Sequence, residues 1–180
     1  LARHFHDIMS GNLGISIYSQ RPISEDLWKR LPATLELTLV AITLSVALGI
    51  PLGVISALRR NSLLDHILRV VSVSGLALAA FWLALLLQFF FAMKLGVAPL
   101  NSRIDGFGPP PVTGLMIIDS LLDWDMESLH SALSHIALPA LTLALPAAAT
   151  IVRFTRAGVL DVINSNYVLY QRAMGLPPGL

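Results

Sequence analysis

Charged positions cluster along the chain and leave three long stretches with none. Leu37 to Leu58 carries no formal charge and is bounded by Glu36 and Arg59. Val70 to Met93 is likewise uncharged between Arg69 and Lys94. Ile136 to Val152 is the shortest of the three and lengthens back through His135 to Ser128, because histidine can be neutral and the next acid is Glu127. A hydrocarbon core of about 30 Å takes about 20 helical residues to cross. The first two runs meet that length as they stand, and the third does so with its extension. A single Asp or Arg at mid-helix costs about 2.5–3.5 kcal/mol on insertion. The pattern therefore predicts three membrane-spanning helices, at about 35–58, 67–93 and 132–154, in an all-α polytopic transmembrane bundle. A soluble fold would have to bury three wholly apolar helices within 180 residues.

Small residues and prolines mark the spans. Gly49 and Gly53 fall on one helix face, with Ala57 a further turn on, and permit close backbone approach to a neighbour. Pro51 between them removes a helix hydrogen bond and predicts a bend. This reads first as a packing seam and kink, and a bent helix also suits a gate. In the second span Ser72, Gly75 and Ala79 share a face that suits protein contact or a water-filled route, and Gln88 is a lone amide among bulky apolar residues. The third span carries Pro139 and Pro146, two turns apart, whose freed carbonyls need protein or water partners. That predicts a central place for this helix.

Between the spans, Pro22 to Pro32 reads as a short interfacial helix: Ile23, Leu27 and Leu31 form an apolar stripe, Glu25, Asp26, Lys29 and Arg30 a polar one, and Trp28 suits the headgroup belt. Gly96 to Gly114, with four prolines and four glycines, is a loop. Met116 to Leu133 reads as a helix on which Asp119, Asp123 and Glu127 recur every four residues, the spacing of one solvated face.

Composition sharpens the picture. The chain is 55% hydrophobic and 13% charged, with mean hydropathy +0.72 and net charge +1. About a quarter of the residues of a soluble domain are charged, so an ordinary soluble enzyme and a basic nucleic-acid binder are excluded. The lack of cysteine excludes a disulfide framework and a cysteine nucleophile. No phosphate-cradling Gly-rich loop with Lys, no nucleophile elbow and no His-Glu-x-x-His is present, so no catalytic, cofactor or metal residue is assigned. His4 and His6 beside Asp7 read as polar residues of an external segment. Orientation follows from the basic residues. Segments 59–69 and 153–180 hold six Lys or Arg. Segments 1–34 and 94–134, nearly twice as long together, also hold six, and the denser side places the C-terminal end in the cytoplasm. Arg153 and Arg156 read as markers of that membrane boundary. Opening at Leu1 without a methionine and stopping at Leu180 after Pro-Pro-Gly, the chain reads as a fragment.

Two stretches together resemble the permease subunits of ABC importers of the oligopeptide/dipeptide/nickel class. One is Arg30-Leu-Pro-Ala-Thr-Leu-Glu-Leu-Thr-Leu, running on to Gly49-Ile-Pro-Leu-Gly-Val and Arg59-Arg60. The other is His135-Ile-Ala-Leu-Pro-Ala-Leu-Thr-Leu-Ala-Leu, then Arg153-Phe-Thr-Arg156 and Asn166-Tyr-Val-Leu-Tyr-Gln-Arg-Ala-Met-Gly-Leu. Gly11-Asn-Leu-Gly14, Val112-Thr-Gly-Leu and Leu121-Leu122 are similar to the dipeptide-type members. The resemblance covers nearly the whole chain.

The resemblance implies a three-span piece of a larger permease, with a family span ahead of Leu1. Residues 1–34 would be an external segment with its interfacial helix, and 35–180 part of one permease domain. It also implies a bacterial inner-membrane location, a second permease subunit, cytoplasmic ATPase subunits, an extracytoplasmic solute-binding protein and a surround of membrane lipid, with no nucleic acid. A cytoplasmic EAA-type loop that docks on an ATPase would lie at about 161–180, with Tyr167, Tyr170, Ala173 and Gly175 as docking candidates. The tyrosines suit interfacial anchoring equally. Gln171 stands where alanine is usual, Met174 where a basic residue is common, and Pro177-Pro178 where the family continues into helix. The implied function is a non-enzymatic transport subunit for dipeptides, oligopeptides or a related small solute. The alternative is an intramembrane enzyme or scaffold whose active residues lie elsewhere.

The charge pattern sets a test of orientation. With single cysteines introduced by Ser62→Cys or Asp105→Cys, an impermeant maleimide applied to intact cells should label the second variant and spare the first. The opposite labelling would invert the topology.

Overall fold

The computed structural model describes residues 13–17, 19–77, 80–99, 104, 110 and 112–175. His4, His6, Asp7, Ala79, Asp105, most of the proline-rich loop and Pro177-Pro178 lie outside the described residues. Among the described residues the secondary structure is helical, apart from one isolated antiparallel bridge between Ile15 and Pro22. The helices are α1 (Ile23–Leu58), α2 (Leu63–Ala77), α3 (Ala80–Leu87) continuing as a π-helical segment (Gln88–Lys94), α4 (Met116–Leu122), α5 (Met126–Ile163) and α6 (Asn166–Ala173). Helices α1 and α5 are long and apolar enough to cross a membrane, and Leu63–Gly75 with Ala80–Lys94 supplies a third crossing if that pair, bent by 108°, counts as one. The expectation of an all-helical membrane bundle holds.

Three elements differ from the pattern-based reading. The 36 residues of α1 run unbroken through Pro32 and Pro51, so the polar segment expected as a separate interfacial helix is the first turns of the same helix. At about 1.5 Å per residue α1 is about 54 Å long, well beyond a hydrocarbon core of about 30 Å, which leaves room for a charged end. Helix α5 contains Pro139 and Pro146 as the third span was expected to, but runs from Met126 to Ile163, longer than the 132–154 expected. The second uncharged run, by contrast, falls in two helices either side of residues 78–79, and hydropathy registers the length of a run but not its continuity. In the π-helical segment the Leu95 N–H reaches back five residues to the Phe90 carbonyl at 3.0 Å, the wider turn characteristic of π-bulges. Phe89 and Phe90 stack edge-on at 5.7 Å, with the Lys94 ammonium over the Phe90 ring.

The chain divides into two compact units. One comprises Val40–Leu100 and Ala137–Leu180. Within it the buried positions of α1 recur every four residues at Ala41, Ser45, Gly49, Gly53 and Ala57, and those of α5 at Ala140, Ala144, Ala148 and Val152. A methyl group on Gly49 would fall 2.7 Å from Ile151 Cβ and 3.2 Å from the Ala148 carbonyl oxygen. One on Gly53 would fall 2.7 Å from Thr155 Cβ and 2.9 Å from the Val152 carbonyl oxygen. Side-chain-free positions thus bring two helix backbones together, the small-residue packing that apolar solvent favours.

The other unit comprises the described parts of Leu1–Leu39 and Asn101–Ile136. Its acids are used on backbone amides. Glu36, buried, accepts a 2.6 Å bond from the Ile117 N–H at the start of α4. Asp125 caps α5, accepting from the N–H groups of Glu127 and Ser128 and from Ser128 Oγ. Asp119 is 3% exposed and accepts from the N–H groups of Val112, Thr113 and Gly114 and from Thr113 Oγ1. This corrects the single solvated face expected for Asp119, Asp123 and Glu127. The helix breaks at Asp123–Asp125, where Trp124 has φ +55°, and Asp119 turns inward to close the 112–115 turn. Asp123 and Glu127 remain exposed.

Burial pushes the Asp119 carboxyl up, but the Thr113 hydroxyl and the three backbone N–H groups outweigh it and hold it below the usual carboxylate range. A carboxyl whose pKa is lowered on folding stabilises the fold above its unfolded pKa of about 3.9 and loses that stabilisation as pH falls through the folded value. Asp119→Asn presents an NH2 to a nest of donors and should cost about 1–3 kcal/mol near neutral pH. The gap in thermal midpoint between wild type and variant should hold above pH ~4 and close on further acidification. A gap independent of pH would refute the assignment.

Candidate functional site

Helix α1 ends at Leu58 and the chain turns back through Arg59–Ser62. Asn61 takes a left-handed conformation, φ +64°, which Asn tolerates better than most residues. Ser62 then caps α2, its Oγ accepting the Asp65 N–H at 3.3 Å. Asp65 reaches back to accept the Asn61 N–H at 3.1 Å, a variant of the reciprocal capping box. The local sequence Asn-Ser-Leu-Leu-Asp therefore both makes the turn and aims a carboxylate at α1.

There Asp65 is 0% exposed. Oδ1 accepts from Ser56 Oγ at 2.7 Å and from Arg156 Nε at 2.8 Å, and Oδ2 accepts from Arg156 Nη2 at 3.1 Å. Arg69 Nη2 stands 3.4 Å from Oδ2 on the outer side. One carboxylate thus ties the last turns of α1, the first turn of α2 and the segment of α5 ahead of α6. The fork-to-fork contact with Arg156 is the strong, orientation-specific kind of ion pair.

Just beyond, Ser165 leads into α6, which the Met174 N–H extends by bonding the Tyr170 carbonyl at 3.0 Å. Gly175 follows with φ +69° and, among the described residues, nothing within 4 Å of where a Cβ would stand. Its glycine answers a backbone requirement, as at a left-handed helix C-cap, and among the described residues no packing contact requires it. Tyr170, at 67%, is exposed, as are Ala173 and Met174; the side chain of Tyr167 lies outside the described residues.

Of the residues singled out in the sequence, the structure sets Gly49 and Gly53 against α5 and leaves Tyr170, Ala173 and Gly175 on an open surface. Pro139 is exposed, and Pro51 and Pro146 lie inside continuous helices. Sequence reading missed the Asp65–Arg156 pair and took Arg156 for a boundary marker. Two signals were available: Asp65 is one of only two acids in segments otherwise rich in arginine, and Ser62-x-x-Asp65 is a capping pattern. Among the described residues no group of three His, Cys, Asp or Glu is placed to hold a metal ion.

Long apolar helices, small-residue contacts and a buried ion pair at one end of the helices define a multi-pass membrane protein. The chain belongs to the family of binding-protein-dependent transport system inner membrane components, whose profile matches residues 49–179. It is 40% identical, over 97% of its length, to the probable D,D-dipeptide transport system permease protein DdpB of Escherichia coli (strain K12). It is 38% identical over 96% to the di/tripeptide transport system permease protein DppB of Pseudomonas aeruginosa (strain UCBPP-PA14), and 32% identical over 96% to the putrescine export system permease protein SapB of Escherichia coli (strain K12). These matches cover 52%, 52% and 55% of the relatives, so the chain spans about half their length. The resemblance to permease subunits of peptide transport systems stands.

The buried pair is testable by itself. Removing one partner strands the other, so Asp65→Ala or Arg156→Ala should each destabilise the full-length protein by about 3–5 kcal/mol. The double variant should lose less than the sum, read as denaturation midpoints of purified protein. Strict additivity would show that the two groups do not interact.

Proposed function

We propose that this chain forms part of the transmembrane path of an ATP-driven importer for dipeptides, oligopeptides or a related small solute. It works beside a second permease subunit, with ATP hydrolysed on separate cytoplasmic chains and solute delivered by an extracytoplasmic binding protein. The membrane is the bacterial inner membrane, and the end bearing Arg59-Arg60 and α6 faces the cytoplasm. The observation that carries the reading is the match to the transport-component family across residues 49–179, which includes α6 and Gly175.

On this reading α6 and the turn at Gly175 dock on the ATPase, through Tyr167, Tyr170 and Ala173. The buried Asp65–Arg156 pair then gives the docking segment a mechanical footing. Arg156 lies ten residues ahead of Asn166, so displacement of α6 acts on an α5 segment already pinned to α1 and α2. Packed helices shift between discrete arrangements and do not deform continuously, and such a pin carries movement into Gly49, Gly53 and the seam. Gly49, Pro51, Gly53, Pro139 and Pro146 serve here as packing and bending points of the moving helices.

Gly175→Trp in the full-length protein should abolish uptake of labelled di- and oligopeptides and reduce the ATPase recovered per permease, with membrane insertion intact. The positive φ makes the change costly, about 1–3 kcal/mol in backbone strain, besides the bulk presented to the partner. Gly175→Asn, which tolerates that φ, should keep more activity. Normal association and normal uptake in the Trp variant would remove the docking assignment. Movement of putrescine, with no uptake of peptide, would reassign the solute.

A further inference from the structure

Beside the buried pair, α1, α2 and α5 border a largely apolar cavity of about 230 Å³ whose lining residues include Arg69, Arg153 and Arg156. Only Arg156 has its charge fully answered, because Asp65 is taken up by Arg156, Ser56 and the Asn61 N–H. Arg69 touches the outer edge of the same carboxylate at 3.4 Å and is 47% exposed, and Arg153 packs over the Phe154 ring at 5.5 Å. Two of the three arginines touch the one carboxylate and Arg153 is not paired with it, an excess of cationic charge beside a largely apolar cavity. A second one, of about 350 Å³, shares Leu68, Ser72 and Val152 with it and extends between Leu48, Leu52 and Leu145.

We propose that this two-part cleft is a binding site for one anionic phospholipid of the leaflet on the arginine side, its phosphate held by Arg69 and Arg153 and the start of an acyl chain lying in the apolar part. Each half of the cleft selects one half of that molecule. The arginines supply donors that match phosphate in a planar fork. The aliphatic cavity, of the size of small-molecule sites, rewards a hydrocarbon chain and gives nothing to a free anion. The cleft also lies where the arginines end the uncharged runs, the depth at which headgroups meet basic pockets between transmembrane helices. A bound lipid would brace the three helices that the Asp65–Arg156 pair joins. The proposal needs only the membrane setting and does not depend on the transported solute or on coupling to ATP.

The test uses the full-length protein, purified with its partner chains, delipidated in mild detergent and titrated with phosphatidylglycerol, phosphatidylcholine or inorganic phosphate. Retained lipid is counted by native mass spectrometry, and the thermal midpoint is followed in parallel. Wild type should retain phosphatidylglycerol over phosphatidylcholine by about tenfold or more, and its midpoint should rise only with the former. Arg153→Gln, and more fully Arg69→Gln/Arg153→Gln, should bring the preference down to near parity while matching wild type in phosphatidylcholine. The single variant guards against a fold defect, since Arg153 makes no contact with Asp65. Equal retention of both lipids by wild type, or undiminished preference in the variants, would overturn the site and reduce the arginines to general headgroup contacts. Equal stabilisation by inorganic phosphate would overturn the lipid as occupant. Loss of all lipid from the assembled complex would show that a partner helix fills the cleft instead.

Discussion

A carboxylate with no access to solvent, at the first turn of α2, is the constraint around which the helices of its unit are arranged. Asp65 meets Ser56 of α1 and Arg156 of α5 and closes the turn that joins α1 to α2. In a membrane protein the hydrophobic effect places helices in the bilayer but does little to choose their mutual register, since lipid tails are as apolar as leucine. A paired charge does choose, because any sliding or rotation that parts the two groups leaves each of them buried and alone. The value of the pair lies less in net stability, which burial of charge largely cancels, than in allowing one arrangement.

The same logic explains the seam. Gly49 and Gly53 remove the side chains that would hold α1 away from α5, and Val152 and Thr155 stand opposite. Four residues separate Val152 from Arg156, and three separate Gly53 from Ser56, so the seam and the ion pair are successive turns of one contact. Close backbone approach brings dispersion attraction, and the ion pair fixes where along the two helices that approach occurs.

Carboxylates recur in a second use. Glu36, Asp119 and Asp125 each accept backbone N–H groups at or beside a helix start, as Asp65 does for the α1–α2 turn. Helix N-termini expose unpaired donors and the positive end of the backbone dipole, and a carboxylate answers both. Of the eleven acids in the chain four are spent this way, while Glu25, Asp123, Glu127 and Asp161 stand exposed.

The sequence by itself determined the membrane class, the uncharged runs, the glycine positions of the seam and, through its motifs, the family. These are properties of short stretches: hydropathy needs only a window, helical spacing only a face, and a motif only its own residues. The tertiary structure alone decided that Asp65 pairs with Arg156, 91 residues away, that Asp119 turns inward to close a loop, and that the second run falls in two helices. No local pattern encodes which distant donor a carboxylate meets. A guanidinium at the end of a span looks the same in sequence whether it reaches for a headgroup or for a buried acid, and only the close approach of α1, α2 and α5 settles which.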